Sequence, residues 1–192
     1  MRAPTMDNKG ESNMANRSYL YSIDFDPTTT PRDNDSKVCG LSEWPYAIPF
    51  AYLLLVSQDA KACNSIIFGY DKPIAIMGDF YKGRQRLLDF MERLEGLGIL
   101  EKEELEWQTT EARAFLNNPA NQGSYIVLEC GEIFDMADES EGALEELNER
   151  LLNTIKNLTE DFILEEMQKV ENQQARSNLL GISFWSDVLY YS

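Results

Sequence analysis

The chain has no histidine among its 192 residues. Histidine is the usual general base near neutral pH and the commonest metal-binding side chain. Its absence removes Ser-His-Asp and Cys-His catalysis, His-ligated zinc and His-carboxylate iron sites together. An enzyme built on this sequence would have to work with carboxylates, lysine, tyrosine, cysteine or a bound metal. Cysteine is also scarce. Cys39, Cys63 and Cys130 are odd in number, far apart and without a CxxC pair, so neither a disulfide framework nor a zinc knuckle is indicated. A reducing cytoplasm is the simplest setting. Long apolar runs are missing as well: the best, Ala47 to Val56, is broken by Pro49 and falls far short of the roughly 20 residues that cross a bilayer. It has no charged flank of the signal-peptide kind.

The second half of the chain lacks bases. Residues 1–90 hold 11 acids and 10 bases, whereas residues 91–192 hold 22 acids and 7 bases, giving the overall charge of −16. The charge is densest from Glu129 to Glu149, where Glu129, Glu132, Asp135, Asp138, Glu139, Glu141, Glu145, Glu146 and Glu149 meet no Lys or Arg. Such a surface repels phosphate backbones and anionic lipid, so the expected partner is neither nucleic acid nor membrane but a basic protein. Solubility alone is the competing explanation.

Local patterns set the expected elements. Residues 1–16 are polar and aperiodic, which predicts a disordered N-terminal tail. From Ser18 to Phe25, Tyr19, Tyr21, Ile23 and Phe25 alternate with polar residues apart from Leu20, predicting a strand with one apolar face. Residues 26–37 concentrate Pro, Thr, Asp and Asn and read as a long loop. The apolar stretch from Leu41 reads as a lead-in to a buried helix after Pro49. Segments 65–69 and 74–77 read as strands joined by Tyr70-Asp71-Lys72-Pro73. Asp79 suits the cap of a helix whose stripe is Leu87, Leu88, Met91, Leu94 and Leu97, ending at Gly96 and Gly98. A further helix is expected over Lys102 to Leu116, and a strand over Tyr125 to Cys130.

The strongest periodicity follows: Leu144, Leu147, Leu151, Ile155, Leu158, Phe162, Met167 and Val170 recur mostly at three and four. It predicts a helix or helix pair with a break near Asn157 to Glu160, where Asn157 and Glu160 have capping-box spacing. Gly181 to Tyr191 is aromatic and expected to dock on the core. The expected fold is therefore α+β: a mainly antiparallel sheet from segments near 18–25, 65–69, 74–77 and 125–130, packed against four or five helices in a single globular domain over 17–192.

Candidate chemistry is limited. With Asp135 as the first position of a calcium loop, Glu146 falls at the twelfth, but Ala137 stands at the third and Ser140 replaces the glycine of the sixth. Asp138 and Glu141 have the spacing of a D-x-x-E capping box, which accounts for the later acids as the charged start of a helix. Glu129, Glu132 and Asp135 lie on or after a strand and are the candidates for a contact surface or for carboxylate chemistry. Lys82, Arg84 and Arg86, with Arg93 further along, offer an anion site or intramolecular pairing with Asp79, Asp89 and Glu92. Neither a P-loop nor a dinucleotide fingerprint is present, and no pattern calls for a cofactor. Two aromatic clusters, Trp44-Tyr46-Phe50-Tyr52 and Phe184-Trp185-Tyr190-Tyr191, read as core or, where exposed, as binding hot spots.

The segment Met14 to Ser22, MANRSYLYS, resembles the opening of a group of small uncharacterised bacterial proteins, which favours Met14 as the natural start and implies no activity. In its small size, acidity and lack of histidine the chain is also similar to bacterial immunity proteins that neutralise basic toxins. The resulting expectation is a protein-binding module of the immunity or inhibitor type. It would engage a basic protein, such as a toxin, through Glu129, Glu132, Asp135, Asp138, Glu139, Glu141, Glu145 and Glu149. The alternatives are a metal-assisted, carboxylate-dependent hydrolase and a nucleic-acid mimic.

Overall fold

Tyr19, Tyr21 and Ile23 point to one side of the first strand and Ser18, Leu20 and Ser22 to the other, and all six are buried. The alternation predicts one apolar face; in fact both faces are covered. The computed structural model, which describes residues 16–30, 32–33, 35–69, 72–137, 140 and 142–191, places this strand, β1 (Arg17–Ile23), second in a five-stranded sheet. The other strands are β2 (Val38–Pro45), β3 (Lys61–Cys63), β4 (Ala75–Asp79) and β5 (Tyr125–Glu129). Their order is β2-β1-β5-β4-β3, and every neighbouring pair is antiparallel.

Seven α-helices among the described residues complete a single α+β domain, against the four or five expected. They are α1 (Phe50–Val56), α2 (Phe80–Glu95), α3 (Lys102–Asn117), α4 (Gly131–Ala137), α5 (Ala143–Lys156), α6 (Glu160–Gln168) and α7 (Gln173–Leu180). None of the described helices is long and apolar enough to cross a membrane. The tail expected over residues 1–16 lies outside the described residues, except for Asn16.

One face of the sheet presents Leu20, Ile76, Ile126 and Leu128 to α1, α2, α3 and the later helices, which supply Leu54, Phe90, Met91, Leu116, Ile163 and their neighbours. α1 approaches both its neighbours closely here: a Cβ at Gly83 of α2 would collide with the Leu55 carbonyl, and one at Gly78 of β4 with the Val56 carbonyl. Both positions need glycine because backbone rather than side chain faces them. The opposite face carries Tyr19, Tyr21, Ile23, Ala75, Met77 and Val127. Its apolar cluster is completed by Cys63, Ile66 and Leu189, none of them on a helix.

The expected strand at 65–69 is a turn. Ser65 Oγ accepts from the N–H groups of Ile67 (3.3 Å) and Phe68 (2.8 Å), while the Ile66 N–H goes to the Glu129 carboxylate (2.7 Å), so side chains consume the donors a ladder would use. The partner of β4 is instead the three-residue β3. β2 occupies part of the expected lead-in to α1; a register shift opposite Leu20 and Tyr21 interrupts its alternation. Glu132 and Asp135 follow β5, as expected, but they lie on a seven-residue helix, α4. The break before α6 is where the periodicity puts it, but Thr159 rather than Asn157 is the cap, accepting from Phe162 N–H at 3.2 Å. α5 starts after Gly142, whose φ of 84° is left-handed, and Asp138 and Glu141 lie outside the described residues.

Candidate functional site

The strand pleat decides the fate of the first acid in the run. Tyr125, Val127 and Glu129 share a face of β5, and Glu129 is paired across the sheet with Tyr19 on one side and Ala75 on the other. Its carboxyl is therefore driven into the tyrosine-lined face and is fully buried. Oε1 accepts the Ile66 N–H at 2.7 Å, and Oε2 has no hydrogen-bond partner among the described residues. Burial pushes this carboxyl up to about 7; the Ile66 N–H, with smaller help from Ser65 and Ile67, opposes the shift without cancelling it. Glu129 thus carries a proton through most of the acidic range and does not belong to the acidic surface expected of it.

Glu132, in the first turn of α4, is used in a different way. Its Oε2 accepts from the Arg17 backbone N–H at 2.8 Å and the Tyr19 hydroxyl at 3.0 Å, and its Oε1 accepts from the Tyr191 hydroxyl at 3.0 Å. Three donors from β1 and the C-terminal segment converge on one carboxylate. Burial first, and then the hydrogen bond to Glu132, raise the Tyr19 and Tyr191 phenols above the ordinary tyrosine range. Tyr21 is raised as well, by burial and then by the Glu129 carboxylate nearby. Its hydroxyl donates to the Tyr191 carbonyl at 3.2 Å. Beside this network an open cavity of about 570 Å³ is walled by Tyr21, Arg32, Ile66, Ile67, Asp187 and Tyr190.

The rest of the run goes elsewhere. Asp135 on α4 and Glu149 on α5 are exposed; Glu145 pairs with Lys72 (2.5 Å) and Glu146 with Arg150. Asp138, Glu139 and Glu141 lie outside the described residues. The run is therefore divided: Glu129 and Glu132 turn inward, and Asp135, Glu145, Glu146 and Glu149 remain on the adjacent helices α4 and α5. Among the described residues no three Cys, Asp or Glu side chains gather closely enough to hold a metal ion. Tyr19, Tyr21, Tyr191 and the Ile66 N–H complete the inward group, and the sequence reading did not assign them to it. The signal for the first two was present, because the alternation that turns Tyr19 inward also turns Tyr21 inward.

Fold and site together define an antiparallel α+β domain with a tyrosine–carboxylate network on the sheet face whose apolar cluster is closed by irregular chain. A family model described as a domain of unknown function (DUF7822) matches residues 24–177, and the chain belongs to that family. The matched span includes Glu129 and Glu132 but not Tyr19, Tyr21 or Tyr191. No curated protein and no solved structure matches the chain.

Proposed function

We propose that this chain is a protein-binding module of the immunity or inhibitor type, and that it engages a basic protein partner, such as a toxin, through the outer surface of α4 and α5. The observation that carries this reading is regional charge: 22 acids against 7 bases in residues 91–192, with Asp135, Glu146 and Glu149 exposed on neighbouring helices. Fixed negative charge of this kind speeds encounter with a cationic surface and suppresses anionic competitors. Glu129 and Glu132 drop out of the contact surface, because one is buried and the other is occupied by three donors. The same two facts weigh against the carboxylate-dependent hydrolase, which needs convergent acids open to substrate.

The test is affinity capture from the native host followed by titration of the purified partner. Binding is expected to weaken at least about tenfold between low and physiological salt, and again in the double variant Asp135→Lys, Glu149→Lys. A partner whose affinity ignores both changes would remove the proposal. A nucleic-acid-binding protein displaced by duplex DNA would favour the mimic instead.

A further inference from the structure

The first turns of α2 carry Lys82, Arg84 and Arg86 in a chain whose net charge is −16. These three side chains help to line an open cavity of about 550 Å³. The cations have different occupations. Lys82 Nζ lies 2.6 Å from Asp59, leaving two of its three protons for other acceptors. Arg86 Nη2 donates to the Leu158 carbonyl at 2.7 Å, a neutral acceptor that leaves its charge uncompensated. Arg84 lies over the rings of Phe80 (5.9 Å) and Tyr81 (5.4 Å) and makes no ion pair among the described residues. Its Nε is buried without a hydrogen-bond partner among those residues.

Of the two acids on the cavity wall, Glu160 is paired with Arg93 at 2.9 Å, while Asp89 accepts from the neutral Gln85 amide at 2.6 Å and keeps its charge, against three cations on the same wall. Asp79 caps the helix by accepting the Lys82 N–H at 2.9 Å, so the helix terminus itself is filled. What is left over is a guanidinium lying near two rings that stand at 77° to each other, one acceptor short of satisfaction, with two further cations beside it. A planar fork fixed in this way suits an oxyanion, and the aromatic backing reduces the freedom lost on binding.

We propose that this groove binds a small oxyanion, a phosphate or a carboxylate, on Arg84, with Lys82 and Arg86 flanking it. The site is independent of the acidic surface on α4 and α5. It is tested on the full chain by following the Arg84 Nε–H resonance while inorganic phosphate and, separately, acetate are added at constant ionic strength. A saturable shift, in the millimolar range for so small a probe, is expected with phosphate; a saturable response to acetate alone assigns the site to carboxylates instead. Arg84→Gln should weaken phosphate binding at least about tenfold, read at the Tyr81 and Gln85 amides, and Lys82→Gln roughly threefold. Lys156→Gln, an exposed cation on α5, should leave it unchanged. The proposal fails if neither anion gives a saturable shift, if binding survives Arg84→Gln in a folded variant, or if Lys156→Gln weakens it equally. Should Arg84→Gln fail to fold, unchanged binding in Lys82→Gln would overturn it.

Discussion

The two faces of the sheet are closed by different means. On one, helices lay apolar stripes against Leu20, Ile76, Ile126 and Leu128, and the Ser22 hydroxyl donates to the Asn121 carbonyl (2.7 Å). On the other, the 65–68 turn and the C-terminal segment close over tyrosines and a fully buried carboxyl. Burial is equally complete at Leu20 and Tyr19, but the cohesion differs. The first face depends on close-packed volume, which tolerates almost no change of shape. The second depends on a few hydrogen bonds around carboxyl groups, which respond to pH and to single donors.

The sharpest way to break the helical face is Gly83→Ala. The added Cβ meets the Leu55 carbonyl, α1 and α2 must separate, and a loss of about 4 kcal/mol is expected in denaturant unfolding. An unchanged midpoint would mean that this contact is looser than the geometry implies. On the tyrosine face, the largest effect comes from Glu129. Unfolded, its carboxyl ionises near pH 4.5, whereas the folded protein keeps the proton to about 7. Between those values folding takes up a proton, so this group's contribution falls as pH rises across the window and levels off above it. The total loss is about 3 kcal/mol. Glu129→Gln should therefore flatten the decline of Tm between pH 5 and pH 8; a variant with the wild-type slope would assign that decline to other groups.

Glu132→Ala is expected to cost about 2 kcal/mol, because the Tyr19 hydroxyl and the Arg17 N–H lose their acceptor. Hydrogen exchange at β1 should rise with it, and no such rise would make Glu132 a bystander. The smallest change tests neither face: Arg150→Ala, which removes an exposed pair with Glu146 on α5, should move stability by less than about 0.5 kcal/mol.

What the sequence made legible follows the same division. The helical face was readable because Asp79 is a cap, the Leu87 to Leu94 stripe has helical period, and the 144–170 repeat runs over two helices with one marked break. The tyrosine face was only half readable. Alternation turns Tyr19, Tyr21 and Glu129 inward, but the turn at 65–68 has strand-like composition and is held by side-chain acceptors that no local pattern announces. β2 was hidden by its register shift, and α4 by being a seven-residue helix that opens on glycine. The candidate surface changed accordingly, since Glu129 and Glu132 were legible as unusual acids while their donors lie 59 to 115 residues away in the chain.

Glu132 also has a consequence for handling the molecule. Arg17 and Tyr191, 174 residues apart in sequence, both reach the same carboxylate. Anything attached ahead of β1 or after the last tyrosine therefore leaves from a single spot, beside the first turn of α4. A pair of reporter groups placed there would sit close together in the folded chain and fly apart on unfolding. A short tether between those two points would close the polypeptide into a ring, so that new ends could be opened in the 26–37 connection.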